Sequence, residues 1–214
     1  MVFFMDIDES RRGENPFDEP VRKLRESDPG EVARKAGGRW TPGDGGGDLA
    51  LPVLTAEVNV SFPEVSIIAP GAVGSFSLKL LSLLYLAGTD GTPPAGEWVA
   101  YRDLPGGRFY EPVVKRSVED PVAARFGADE PGFLEACKAA GGVRESFGDA
   151  SCSFELFPNV LVLFILWRAD EEFPARVQVL FDSSSTHHLN AFDLRMGSAE
   201  IASKLLKWSK EEGG

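Results

Sequence analysis

Eight consecutive apolar residues, Val160–Trp167 ("VLVLFILW"), constrain this chain more than any other stretch. A helix that crosses a bilayer needs roughly 20 apolar residues, so the run is too short to span a membrane. A strand with one face in water alternates in polarity, whereas this one is apolar on both faces and belongs at the centre of a sheet. The β patterns over residues 150–156 and 176–181 read as its neighbours.

Helix signals surround that strand. "SFSLKLLSLLYLAG" sets Phe76, Leu80, Leu83, Leu84 and Ala87 on one helical face and widens it with Leu78, Leu81 and Leu86, which predicts a helix buried in the core. Val21 and Leu24 share one face of a short helix, and Asp28-Pro29 is an N-cap and N1 pair for another that Gly37-Gly38 ends. By the same logic Asp120 caps "PVAARF", and Asp129 caps "EPGFLEACKAA" before Gly141-Gly142. In "SAEIASKLLKWSK" the stripe of Ile201, Leu205 and Trp208 predicts a C-terminal helix covering one face of the sheet.

Between these lie short strands within "LALPVLTAEVNVSFPEVSII". The preceding "TPGDGGGD" lacks the trailing lysine of a phosphate loop and the spacing of a dinucleotide fingerprint, and reads as a flexible connector. The expected architecture is α+β: a single domain over residues 17–210, mostly antiparallel sheet, with the central apolar strand packed by the leucine-rich helix and the C-terminal helix. Residues 1–16 read as a flexible polar arm and 211–214 as a flexible tail.

Charge narrows the partners. With 33 acidic against 22 basic residues the formal net charge is −11, a field that repels nucleic-acid phosphates and anionic lipid surfaces. A small-molecule ligand or a protein partner is expected instead. The first residues have neither a basic n-region nor a long apolar h-region, so the expected location is cytoplasmic. Two cysteines, Cys137 and Cys152, are too few for a disulfide framework and read as buried free thiols.

Two polar stretches are candidate sites. Across residues 98–110, Trp98, Tyr101, Phe109 and Tyr110 are interleaved with Arg102 and Arg108 around Pro105-Gly106-Gly107. Aromatic faces and guanidinium forks are what an anionic or planar ligand needs. Asp170, Glu171 and Glu172 fall within one turn, where mutual repulsion calls for a cation. Arg102 is the expected partner within hydrogen-bonding range, with Arg108, Arg168 and Arg176 as other candidates. Farther along, Asp182, His187, His188 and Asp193 supply nitrogen and oxygen ligands of the kind zinc, iron or manganese accepts, although their spacing fits no established motif. No nucleophile elbow is present.

At "GEWVAYRDLPGGRFY" and "FPNVLVLFILWRADEEFPARVQVLFDSSSTHHL" the chain resembles a prokaryotic family catalogued as domain of unknown function 3786. The resemblance rests on G-E-W followed by R-[DE]-L-P-G-G, on F-G-x-D-x-x-x-F from Phe126 to Phe133, on Gly148-Asp149, and on D-E-E-F-P followed by L-F-D. With the leucine-rich helix it covers residues 20–206. It implies one compact domain without an assigned reaction. Some relatives carry an iron-sulfur label attributable to an additional cysteine-rich segment; the residues before Pro20 contain no cysteine, so no cluster is carried over and the cofactor stays unknown.

Three functional readings follow. In the first, the chain is a binding or accessory module. Trp98 and Tyr101 stack on a ligand, Arg102 and Arg108 pair with its anionic groups, and the acidic loop orients the arginines. In the second, it is a metal-dependent hydrolase or lyase that uses the Asp/His cluster as ligands and Glu171 or Glu172 as general base. The third is a non-catalytic subunit of a larger complex.

Overall fold

The computed structural model describes residues 15–208. The polar arm expected over 1–16 lies almost wholly, and the tail over 211–214 entirely, outside the described residues. Two antiparallel sheets and a layer of helices form an α+β fold. The first sheet joins β1 (Arg39–Gly43), β2 (Gly46–Val53), β3 (Ala56–Phe62) and β4 (Ser66–Ile68) in chain order. The second contains β5 (Trp98–Ala100), β6 (Val143–Glu145), β7 (Ala150–Phe157), β8 (Val160–Trp167) and β9 (Arg176–Asp182), in the spatial order β5-β9-β8-β7-β6.

The eight-residue apolar run is β8, at the centre of the second sheet. Its register with β7 and β9 puts Cys152, Phe154, Val162, Phe164, Val179 and Phe181 on one face, all buried. Leu163 and Ile165 on the other face are buried as well, which an unbroken apolar strand requires.

Seven helices complete the described residues: α1 (Asp18–Arg25), α2 (Pro29–Ala36), α3 (Phe76–Gly88), α4 (Glu111–Val114), α5 (Asp120–Phe126), α6 (Glu130–Ala139) and α7 (Ala191–Lys207). The leucine-rich α3 packs against α1, α2 and α7. Asp28 caps α2 by accepting from the Glu31 N–H at 2.8 Å, and Asp129 caps α6 through the Gly132 N–H at 3.1 Å. Gly37 takes the left-handed conformation at the end of α2, with φ of 67°, as helix C-caps commonly do.

Three expectations change. The glycine-rich "TPGDGGGD" is no connector, since Thr41, Pro42 and Gly43 pair with Asp48, Gly47 and Gly46 in a β1–β2 hairpin turned by Asp44-Gly45. Asp-Gly is a favoured hairpin turn. Asp120 caps no free helix end: α4 runs through a π-helical turn, Lys115–Glu119, straight into α5, and no side-chain cap hydrogen bond is made there. The C-terminal helix starts at Ala191 rather than Ser198, and it meets the sheet where Gly197 abuts Leu156.

Tyr85 ties these layers together. Its ring stacks on Phe157 with centroids 4.5 Å apart; its hydroxyl donates to the Ala36 carbonyl at 3.0 Å and accepts from the Asn159 N–H at 3.3 Å. Burial pushes its pKa up to about 12. Tyr85→Phe keeps the stacking but strands two polar groups, and is expected to cost about 1–3 kcal/mol as a lowered urea midpoint; an unchanged midpoint would show that the hydroxyl ties nothing.

Candidate binding surface

The segment carrying the aromatic and arginine residues hangs from the edge of the second sheet. β5 pairs with β9 over only three residues, Trp98 with Asp182, Val99 with Phe181 and Ala100 with Leu180. Asp182 reinforces this short ladder. Its carboxylate accepts from the N–H groups of Ala95 at 2.9 Å, Gly96 at 2.7 Å and Ser184 at 3.0 Å, and from the Ser184 hydroxyl at 2.6 Å.

Beyond β5 the chain coils through two 3₁₀ turns, Tyr101–Asp103 and Gly107–Phe109. Gly106 has φ of +79°, a region L residues rarely adopt, and a Cβ on Gly107 would overlap the Tyr101 carbonyl oxygen. Both glycines are therefore needed to fold the turn onto itself. The result is an open depression of about 330 Å³ lined by Arg102, Asp103, Leu104, Gly106, Arg108 and Phe109.

The side chains around it divide into anchors and presented groups. Tyr101 is an anchor: its hydroxyl donates to the Ala191 carbonyl at 2.7 Å, its ring lies against Phe181, and burial pushes its pKa up to about 12. The expected stacking of Tyr101 on a ligand is thereby corrected, since its ring faces the core. Trp98 is half-buried in β5 and does not line the depression. Arg102 is exposed and lies 3.8 Å from Glu111 and 3.9 Å from Asp103. Arg108 is exposed with no ion-pair partner among the described residues, and Phe109 is 88% exposed, too much for a core role.

Tyr110 extends the surface to the first turn of α7. Its ring meets Phe192 edge-on with centroids 6.0 Å apart, and the Arg195 guanidinium lies 4.7 Å over the Phe192 ring. The Arg195 Nε is buried without a hydrogen-bond partner among the described residues. Phe192 and Arg195 were not singled out from sequence. The signal was the capping box: the Asn190 side chain accepts from the Asp193 N–H at 3.0 Å while the Asp193 carboxylate accepts from the Asn190 N–H.

The acidic loop is not part of this surface. Asp170 accepts from the N–H groups of Glu172 at 2.8 Å and Phe173 at 2.7 Å, which hold its pKa below the ordinary value, and Glu171 and Glu172 are exposed. None of the three pairs with Arg102 among the described residues. Arg168 lies 3.4 Å from Glu130 and Arg176 stacks on Trp167 at 4.1 Å. The loop is a self-bonded hairpin connection.

The proposed metal ligands do not converge either. Asp182 is occupied by its four donors. His188 is buried with Nδ1 2.8 Å from the Thr89 hydroxyl, and burial lowers its pKa; His187 is exposed, 2.9 Å from Asp90. Asp193 belongs to the cap of α7. Among the described residues no group of three or more His, Cys, Asp or Glu side chains is placed to hold a metal ion, and no helix is long and apolar enough to cross a membrane.

A family model described as Domain of unknown function (DUF3786) matches residues 28–203. No curated protein and no solved structure matches the chain.

Burial raises the Asp193 pKa to about 6, against the opposing hydrogen bond from Asn190. The unfolded chain releases this proton near pH 4 and the folded chain near pH 6, so its contribution to stability falls as pH rises through that window. Asp193→Asn retains a cap acceptor and is expected to raise stability by about 2–3 kcal/mol near pH 7, with the gain shrinking toward about pH 4. Equal urea midpoints for the two proteins across that range would contradict the buried carboxyl.

Proposed function

Because the chain belongs to the DUF3786 family, whose description assigns no reaction, we propose a function from the surface alone: a cytoplasmic binding or accessory module for a small ligand that carries an anionic group beside a planar ring. The observation that carries this reading is the exposed Arg108, without an ion-pair partner among the described residues, next to the exposed Phe109, both held on a glycine-shaped turn over the depression. A guanidinium offers paired donors to a carboxylate or phosphate, and covering a phenylalanine side chain contributes about 1.5–3 kcal/mol. Arg102 is a second cation that the anion would draw from Asp103 and Glu111. Tyr110, Phe192 and Arg195 continue the same alternation of rings and charge. On a chain of net charge −11, a local basic spot selects for a compact anion rather than for a polyanion such as nucleic acid.

Thermal-shift titrations with adenosine monophosphate, flavin mononucleotide, citrate and inorganic phosphate test the reading, since a ligand that binds only the folded state raises Tm. At least one ring-bearing anion is expected to raise Tm of the native protein and to lose that effect in the Arg102→Ala/Arg108→Ala double variant. Phe109→Ala is expected to weaken the ring-bearing probes and leave phosphate unaffected. If none of the four shifts Tm, or if the double variant responds as the native protein does, the reading fails.

A further inference from the structure

Residues 89–97, which join α3 to β5, form neither helix nor strand, and Pro93 and Pro94 bring no N–H to bond with. The segment's internal hydrogen bonds run from the Gly91 N–H to the Thr89 hydroxyl at 3.4 Å and from the Thr92 N–H to the Asp90 carboxylate at 2.8 Å. The turn at residues 182–188 holds it down. Asp182 accepts from the Ala95 and Gly96 N–H groups, the Ser183 N–H donates to the Glu97 carbonyl, His187 meets Asp90, and the His188 Nδ1 lies 2.8 Å from the Thr89 hydroxyl. Apart from the Ser183 N–H, each of these contacts uses a side chain of the turn. A segment fixed in this way opens locally at little cost to the sheet.

His188 is the buried ring of the set, 3% exposed. The chain passes so close to it at Gly88 that a Cβ there would stand 2.9 Å from the His188 carbonyl oxygen, and the Tyr85 and His187 rings lie 5.8 and 6.4 Å away. Its Nε2 is buried without a hydrogen-bond partner among the described residues. A neutral imidazole has one N–H, and the cation has one on each nitrogen. Thr89 serves Nδ1 in either state, whereas the cation would hold a charge in the core with its Nε2–H unmatched. The closed turn therefore suits the neutral ring.

We propose that His188 is an acid-sensitive latch: when its ring takes up a proton, residues 89–97 come away from the 182–188 turn, and β5 and the surface at residues 101–110 are released with them.

The surroundings set the direction. The titratable groups around the ring are Asp90, Asp182, His187 and, on α3, Tyr85, while Lys35 of α2 lies against Gly91 of the covering segment. Burial, helped by His187, outweighs the pull of Asp90, the Thr92 backbone and Asp182, and lowers the His188 pKa. Both carboxyls are held below their ordinary values and Tyr85 is pushed up to about 12, so none of the three changes charge between about pH 5 and pH 8. With the folded pKa of His188 below the unfolded value of about 6.5, the latch is fully closed above that pH and is lost as pH falls toward the folded value.

The test follows amide hydrogen exchange of the native protein from about pH 7.5 to about pH 5.5, corrected for the intrinsic pH dependence of exchange. The opening constant of Thr92, Ala95 and Gly96 is expected to rise by up to about tenfold per pH unit below about pH 6.5, the slope of one proton taken up, while the amides of β7 and β8 keep their protection. His188→Asn, whose amide still reaches Thr89 but takes no charge, is expected to lose the slope; His187→Gln is expected to keep it. An opening constant that ignores pH, a slope that survives in His188→Asn, or one that vanishes in His187→Gln would overturn the proposal. If His188→Asn does not fold, NMR titration of the histidine rings of the native protein decides: a His188 ring that takes its proton at or above the ordinary histidine pKa overturns the latch, and one that takes it below, in step with the opening, supports it.

Discussion

One carboxylate with no exposed surface, Asp182, holds the candidate surface in place. Burying a charge costs several kcal/mol unless donors replace its water. Here three backbone N–H groups and a hydroxyl do so. Burial opposes ionisation, but the four donors together outweigh it and keep the carboxyl below its ordinary pKa. The resulting stability is present above the unfolded carboxylate pKa and is lost as pH falls through the folded value. Because two donors are Ala95 and Gly96, the bond that neutralises the charge also sets the loop before β5 against the end of β9. β5, the Gly106-Gly107 turn and the depression follow from that placement.

The same end of the sheet explains the density of polar side chains that suggested a metal. Thr89 meets His188, Asp90 meets His187, and the Ser183 N–H donates to the Glu97 carbonyl at 2.8 Å. The hydroxyl and N–H of Thr92, and then His187, hold Asp90 well below the usual carboxylate pKa. Each group has a partner on the facing loop. Of the residues that read as ligands, Asp182, His187 and His188 are stitches between residues 89–97 and 182–188.

What could be read from the sequence was what depends on local pattern. The centrality of β8, the caps at Asp28 and Asp129, and the burial of α3 follow from periodicity and turn chemistry within a few residues. The β1–β2 hairpin was hidden because a run of glycines resembles a linker even where Asp-Gly turns a strand. The first turns of α7 were hidden behind the two histidines, which drew Asp193 toward a metal rather than toward Asn190. The surface was legible in composition only. That residues 98–110 mix rings and guanidiniums is evident, but the direction of each is not: the Tyr101 hydroxyl is fixed by a carbonyl 90 positions away. The pairing of Arg102 with the acidic loop failed because Asp170 finds N–H donors two and three residues on, which requires no distant chain to be brought close.

The dependence of the surface on Asp182 is open to direct measurement by amide hydrogen exchange on the native protein and Asp182→Asn under identical conditions. Residues 95–110 are expected to lose protection in the variant while the amides of β7 and β8 keep theirs, because the ladder between those strands does not rest on this carboxylate. Unchanged protection over 95–110 would contradict that dependence.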